Sequence, residues 1–342
     1  MPKQYDDFEY EDIYSDTKPK KQKSFKQRVV KAIGIIILAV VLLFAILILS
    51  IYSKLSHAET AEHVNPYISE DELYSDEDVK NILLVGVDAR EGETVSRSDS
   101  MMIVSINQKT KKMKITSFLR DSYVEIPEHG YNKLNASMTW GGIDLLWDTL
   151  EYNFKIKIDN YMMVDFIAFE KMIDALGGVD VPITEKEASY LNDTWYKWTL
   201  TGNELNYDYG DSVHLNGEEA LMFCRIRKLD SDFERTRRQR DTISSIKREL
   251  MHTNPVELIK LANGVLPNIE TDITSSEMLT LGFNAIIKYL RYDIESLGIP
   301  LDNKWTSQSK SCGLCLVFDV NETSEILYNY IYNDISPLAE AK

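Results

Sequence analysis

The feature that most limits this chain is an uncharged apolar run, Ala32–Tyr52, reading AIGIIILAVVLLFAILILSIY. A helix rises ~1.5 Å per residue, so about 20 such residues cross a hydrocarbon layer ~30 Å thick. A soluble core helix of this length carries a polar stripe, and this one has none. A cleaved signal peptide is the rival. The run is too long and starts too late for one, and no clean A-x-A site follows it. The sequence therefore predicts a signal anchor. Lys18, Lys20, Lys21, Lys23, Lys26, Arg28 and Lys31 precede it, whereas Lys54 stands alone before Glu59, Glu62, Glu70, Asp71 and Glu72. Positive residues stay inside, which predicts a single-pass protein of the cell membrane with a cytoplasmic N-terminus and an extracellular main domain.

The expected plan is a basic cytoplasmic tail (1–31), the transmembrane helix (32–52), a juxtamembrane spacer (53–79), a catalytic core (80–250) and a C-terminal part of the same domain (251–342). Hydrophobic residues make up 44% and charged residues 27%, as in globular proteins. The first 31 residues hold 8 Lys/Arg against 6 Asp/Glu, a balance of +2, so the rest of the −16 chain stands at −18. A domain that acidic excludes general nucleic-acid binding, and any anion site must concentrate its basic groups. Cys224, Cys312 and Cys315 are sparse. The CGLC pair allows a local disulfide, but no thioredoxin-like strand–CxxC–helix context surrounds it.

Along the outer part, ILLVGV (82–87), MMIVSI (101–106) and MKITSFL (113–119) read as strands, the last two joined by the polar turn NQKTKK. Leu134 to Phe154 reads as two helical pieces hinged at Gly141-Gly142. Residues 162–176 begin as strand and continue as helix to Gly177-Gly178, and 179–183 is again strand. GEEALMFCRIRK (217–228) starts as a helix, Asp232 to Met251 is a long helix, and 255–292 holds two more. The chain closes on strand and helix signals at ESLGIP, CLVFDV (315–320) and SEILYNYIY. This alternation predicts an α/β fold with a central mixed β-sheet flanked by helices, preceded by the one transmembrane helix.

Four clusters sit at strand ends or helix starts: GVDAR (86–90), RSDSMM (97–102), FLRDSYVEIP (118–127) and CRIRKLDSDFERTRRQR (224–240). Ligand sites of α/β sheets gather beyond strand ends. At ~100° per residue, Arg235, Arg238 and Gln239 share one helix face, while Arg237 and Arg240 fall on the other side and are expected in solvent. Arg225 and Arg227 share a face only if their stretch is extended. Several arginines in one place on an acidic protein suit phosphate or pyrophosphate, which guanidinium binds bidentately. Asp88 and Asp99 would add a hard divalent cation, Mg²⁺ by preference, and a short Asp pair also suits Mn²⁺. No Walker loop, GxSxG or HExxH occurs, so spacing and charge alone reach an anion site, with solvated-face and turn-cap readings still open for each cluster taken singly.

Taken in order, NILLVGVDAR…RSDSMMIVSINQKTKKMKITSFLRDSYVEIP, then YNKLNASMTWGGIDLLWDTLEYNFKIKIDNYMMVDFIAFEKMIDALGGVDV, LNGEEALMFCRIRK and DSDFERTRRQR resemble the LytR-CpsA-Psr family of cell-wall assembly proteins over about residues 80–250. The resemblance implies transfer of an anionic glycopolymer, wall teichoic acid or capsular polysaccharide, from an undecaprenyl-(pyro)phosphate carrier to peptidoglycan. By the same resemblance the pyrophosphate-binding residues are Arg97, Arg120, Lys133, Arg225, Arg227, Arg235, Arg238 and Gln239. Asp88 and Asp99 match the magnesium-associated carboxylates. Arg120, Asp99 and Asp121 are the catalytic candidates, with Asp99 or Asp121 as base. Glu234 departs from the pattern, since many relatives carry Gly there. Trp140, Leu145, Leu146, Trp147, Leu150, Phe154, Phe166 and Phe169 are candidates for a lipid channel or for plain core. Two rivals remain: hydrolysis of a lipid-linked pyrophosphate, and non-catalytic polyprenyl-phosphate binding or regulation.

Overall fold

The computed structural model describes residues 56–57, 63–87, 98–198, 202–254 and 269–337, with the single positions 257, 261 and 265 between the last two stretches. The expected tail and transmembrane segment, together with Asp88, Arg90 and Arg97, lie outside the described residues. Among the described residues no helix is long and apolar enough to cross a membrane.

One seven-stranded mixed sheet organises the domain. Its strands are β1 (Ser56–His57), β2 (Val79–Val87), β3 (Ser98–Asn107), β4 (Lys112–Phe118), β7 (Asn160–Asp165), β10 (Ile269–Thr271) and β11 (Asp293–Ile299), in the spatial order β1-β10-β7-β2-β3-β4-β11. The β3–β4 pair is the antiparallel hairpin expected around NQKTKK. β2 runs antiparallel to β3 and parallel to β7. Both β10 and β11 come from beyond residue 250, so the C-terminal part completes the same sheet.

Strict alternation along β2 decides which layer each side chain joins. Val79, Leu83, Val85 and Val87 face one way, into a core with Leu146, Leu150 and Phe154 of α1 (Asn135–Phe154) and Leu327 and Ile331 of α7 (Val320–Asn333). Leu84 and Gly86 face the other way. That side is covered by α2 (Phe166–Leu176), α4 (Gly217–Cys224), α5 (Asp232–His252) and, towards β11, α6 (Ser275–Ile287). The result is helix, sheet, helix, the fold class expected.

Local signals explain the joints. α1 is broken where expected, with Gly141 at φ −138° and Gly142 at φ +65°, a region only glycine enters freely. α2 stops at Gly177 in the left-handed conformation. α3 (Glu185–Asp193) begins with a capping box in which Thr184 and Glu187 satisfy each other's backbone N–H. Three antiparallel pairings went unread in the sequence, although 179–183 and 315–320 were expected as strands: β5 (Tyr123–Ile126) with β6 (Gly130–Lys133), β8 (Val179–Ile183) with β9 (Gly210–Leu215), and β12 (Trp305–Lys310) with β13 (Gly313–Phe318).

One boundary needs correction. Residues 63–79, expected to be spacer, are packed into the domain. His63 stacks on Trp147 at 4.3 Å, Asn65 donates to Glu151 at 3.0 Å, and the Tyr74 amide donates to the Lys155 carbonyl at 2.6 Å. A buried asparagine that bridges to a helix 86 residues away belongs to the fold, not to a tether.

Candidate functional site: an arginine-capped apolar cavity

On the second face of the sheet lies a cavity of about 310 Å³. Its floor follows from register. Met162, Leu84 and Met102 form one row across β7, β2 and β3, and Val164, Gly86 and Ser100 form the next. The second row is shallow because Gly86 has no side chain, and a Cβ there would stand 3.2 Å from the Ser100 Cβ. Phe166, Phe169 and Met172 of α2, Leu221 of α4, and Ile243 and Ile246 of α5 make the walls. Arg225, Arg227, Arg235 and Gln239 line the same space. An apolar chamber capped by guanidinium groups therefore comes from six separate segments.

The spacing of Arg225 and Arg227 now resolves. α4 ends at Cys224, Arg225 is its cap, and the chain beyond is not helical, so both side chains reach one cavity. The Arg225 guanidinium lies 4.8 Å from the Phe166 ring and 5.7 Å from the Trp195 ring. Stacking of this kind leaves the in-plane N–H donors available. Its Nη1 is buried and has no hydrogen-bond acceptor among the described residues. The Gln239 Oε1 is likewise buried without a donor.

A chain of charges links this cavity to the end of β4. Asp232 accepts from Arg120 Nε at 3.0 Å through one oxygen and pairs with Arg235 Nη1 at 3.1 Å through the other. Asp121 stands 3.5 Å from Arg120 and 2.7 Å from Lys133 Nζ. Arg120 and Asp121 of one motif and Lys133 of the next are thus contiguous. Asp232 is the residue the sequence reading missed, although it sits inside the quoted DSDFERTRRQR.

Arg238 stands elsewhere. It is wholly buried and does not line the cavity; its Nε donates to Glu187 at 2.7 Å and its Nη2 to Asp230. The helix-face argument also fails for Arg237, which is held by Glu234 and Glu187 at 2.6 Å and by Asp241 at 2.7 Å. Arg240 is half-buried, and burial lowers the proton affinity of its guanidinium. The expectation that Arg237 and Arg240 are solvated is therefore overturned. A second layer packs against that face of α5, and helix periodicity carries no information about neighbours. Glu234 serves as a first-turn partner of Arg237, so its departure from glycine leaves the helix intact.

Glu187, Asp230 and Glu234 lie close enough together to suggest a metal site. Arg237 and Arg238 occupy their oxygens, so this trio neutralises arginines. Of the expected metal carboxylates, Asp88 lies outside the described residues, and of Asp99 only its backbone position in β3 is described. Val87 pairs with Ser98, the residue before Asp99, at one end of the β2–β3 ladder.

Of the lipid-channel candidates, Phe166 and Phe169 line the cavity. Leu146, Trp147, Leu150 and Phe154 are in the core of the opposite face, with Leu145 also buried, and Trp140 is 45% exposed beside His129. Only the sheet face on which a residue falls separates the two groups.

A second, more polar cleft of about 530 Å³ lies beside the N-terminal segment, lined by His63, Lys80, Glu151, Asp159, Asp272 and Glu277, among others. Burial raises Glu151, Asp159 and Asp272 above the usual carboxylate range. A wall of carboxylates is ill suited to phosphate.

The LytR_cpsA_psr family model matches residues 46–323, well beyond the 80–250 that carried the resemblance. The regulatory protein MsrR of Staphylococcus aureus (strain COL) is 33% identical over 258 residues, covering 74% of this chain and 75% of that protein. The polyisoprenyl-teichoic acid–peptidoglycan teichoic acid transferase TagU of Oceanobacillus iheyensis is 34% identical, covering 68% of this chain and 72% of its own. The structure titled TagT bound to LIIa-WTA superposes with a TM-score of 0.64 at 26% identity, covering 82% of this chain and 98% of that one. The chain belongs to the LytR-CpsA-Psr family.

Proposed function

We propose that this chain transfers an anionic glycopolymer, of the wall teichoic acid or capsular polysaccharide class, from an undecaprenyl-(pyro)phosphate carrier to peptidoglycan. The observation that carries the reading is the joining of two chemistries in one cavity. Its walls are aliphatic and aromatic, and four polar residues, Arg225, Arg227, Arg235 and Gln239, line it too. A polyprenyl phosphate has the same two parts.

In this reading the apolar chamber holds the start of the polyprenyl tail, and the guanidinium groups take the phosphate oxygens. Charge neutralisation by fixed donors is the main catalytic lever in phosphoryl chemistry, because the donors need not reorganise as charge shifts to the leaving group. Arg120 is kept within reach of Arg235 by Asp232, which a phosphate would displace or share. Asp121 is engaged by Lys133 and Arg120, which fits a positioning residue better than a base. Asp99 remains the candidate base for the acceptor hydroxyl. Asp88 and Asp99 would hold Mg²⁺, or Mn²⁺, which when bound would neutralise part of the diphosphate charge. Arg97 belongs to the same proposed set through its motif. Arg238 supports the site from behind through Glu187 and Asp230. The apolar run 32–52 would anchor the domain at the membrane where the carrier resides, with the N-terminus cytoplasmic.

The test uses the full chain in detergent, a polyprenyl-pyrophosphate glycan and a peptidoglycan oligomer, with and without Mg²⁺, beside Arg120→Ala. Glycan joined covalently to the oligomer, and lost in the variant, is the expected result. Release of free glycan phosphate with no joined product would make the chain a hydrolase. Bound lipid with neither product would make it a carrier-binding protein.

A further inference from the structure

The CGLC pair lies outside every residue set used above, yet the fold places it against the candidate site. The β12–β13 hairpin turns at Ser311-Cys312, between the paired Lys310 and Gly313, and Gly313 takes the positive φ of +96° that completes the turn. The reversal brings Cys312 Sγ to 2.8 Å from Cys315 Sγ. Cys315 is fully buried and Cys312 half-buried, so one sulfur is open to a reagent and the other lies directly beneath it.

The same hairpin is docked on the segment that carries Arg120 and Asp121. The Leu316 amide, one residue past Cys315, donates to the Asp121 carbonyl at 2.9 Å, and Leu316 forms a parallel bridge with Ser122. Lys310 Nζ lies 5.4 Å from the Tyr123 ring. At the hairpin's other end, Trp305 stacks on Phe233 with centroids 5.4 Å apart, and Phe233 adjoins Asp232, the carboxylate between Arg120 and Arg235. One two-stranded unit therefore touches both halves of the arginine site.

We propose that Cys312 and Cys315 are a thiol-oxidation site, converted to an intramolecular disulfide by exchange with a disulfide oxidant, and that closing this bond stiffens the hairpin that holds the Arg120–Ser122 segment. The Cys312 thiolate attacks one sulfur of the oxidant, releasing one oxidant thiol and leaving a mixed disulfide. Cys315 then gives up its proton and attacks the Cys312 sulfur, forming the Cys312–Cys315 bond and releasing the second oxidant thiol. Two protein thiols lose two electrons, the oxidant disulfide gains them, and the two protons go to the released thiolates. Burial, reinforced by Cys312, pushes the Cys315 thiol up to about 11. That assigns attack to Cys312 and resolution to Cys315, because the thiolate is the nucleophile. Cys224, fully buried and pushed up to about 12 by burial, is the inert thiol of the same chain.

The test needs no glycan substrate, so its outcome is independent of the proposed transferase activity. The full chain in detergent is equilibrated in reduced and oxidised glutathione mixtures, alkylated, and weighed intact; amide exchange is followed at residues 119–123. Oxidised buffer should remove two hydrogens from the wild type and none from Cys312→Ser, and should slow exchange at 119–123 by about fivefold or more, as local opening becomes costlier. Cys312 and Cys315 that stay alkylatable in oxidised buffer, or a stable glutathione adduct on Cys312 without ring closure, would overturn the site. A disulfide that forms while exchange at 119–123 stays unchanged would overturn its link to the arginine segment.

Discussion

The cavity under α4 and α5 and the cleft beside the N-terminal segment border the same sheet, but they use charge in opposite ways. In the cleft, carboxylates are committed to backbone amides. Asp159 accepts from the Asn81 N–H at 2.7 Å, Asp272 from the Tyr161 N–H at 2.8 Å, and Glu151 from the Ile158 N–H at 2.9 Å. These groups tie strand ends and the N-terminal segment together. In the cavity, Arg225 Nη1 is buried with no acceptor among the described residues. A buried donor without a partner costs about 1–3 kcal/mol, and in the proposed reading the phosphate of the carrier supplies the acceptor. The larger opening spends its carboxylates on the fold, whereas in the smaller one Arg225 Nη1 meets no acceptor among the described residues.

Four experiments would break or sharpen that contrast. Glu187→Ala should have the largest effect. It leaves wholly buried Arg238 with Asp230 as its one remaining carboxylate among the described residues, and breaking a buried pair costs up to about 3–5 kcal/mol. Chemical denaturation measures it, and a loss below about 1 kcal/mol would show that Glu187 does not hold the arginine helix.

Arg225→Ala should lower affinity for a polyprenyl diphosphate by about tenfold to a hundredfold, the worth of a hydrogen bond to a charged group, while changing fold stability far less than Glu187→Ala. Equal affinity in wild type and variant would remove Arg225 from the anion site. Calorimetric titration gives both numbers on the same samples.

Ser100→Leu separates the two halves of the cavity. It fills the floor beside Gly86, so affinity for the polyprenyl diphosphate should fall by about tenfold, at an overpacking cost of about 1–3 kcal/mol. Binding of inorganic pyrophosphate should be unchanged. If both ligands weaken together, the chamber and the arginines are not separate subsites.

The smallest effect is on the pH dependence of stability, where the two regions should differ in sign. Burial works against the charge on Glu187, but the Thr184 amide and Arg238 outweigh it and leave the carboxyl below its ordinary 4.5. Its contribution is complete above that value and is lost as pH falls through the lowered one. Asp272 is held above its ordinary 3.8 by burial, so the folded state takes up its proton first, and its contribution declines as pH rises through the raised value. Glu187→Gln should therefore flatten the acid side of the stability curve, and Asp272→Asn should steepen it. The same direction in both would refute the assignment.

Much of the fold was legible. The β3–β4 hairpin, the Gly141-Gly142 break in α1, the strand-to-helix change within 162–176 and the glycine stop at Gly177 all follow from local rules of turn and cap chemistry. β8 and most of β13 were read as strands, but the pairings β5–β6, β8–β9 and β12–β13 were missed, because β5, β6, β9 and β12 are only four to six residues long and 26 residues (184–209) lie between β8 and β9. The arginines were found by type and spacing, yet spacing could not separate Arg235, which lines the cavity, from Arg238, which is buried against Glu187 and Asp230. Both are on the buried side of α5, but Arg238 meets Glu187 from 51 residues earlier in the chain, whereas Arg235 lines the cavity beside Asp232.

By itself, then, the sequence determined the kinds of element, their order, the family and the residue types of an anion site, because hydrophobic period, capping and side-chain charge are local properties. Tertiary structure alone decided which sheet face each apolar side chain joined. It therefore decided that Phe166 and Phe169 line a chamber while Leu146 and Phe154 fill a core, that Asp232 joins Arg120 to Arg235, and that the CGLC hairpin rests on the Arg120 segment. The physical reason is that pairing register and layer packing join residues more than a hundred positions apart, and no window along the chain contains both partners.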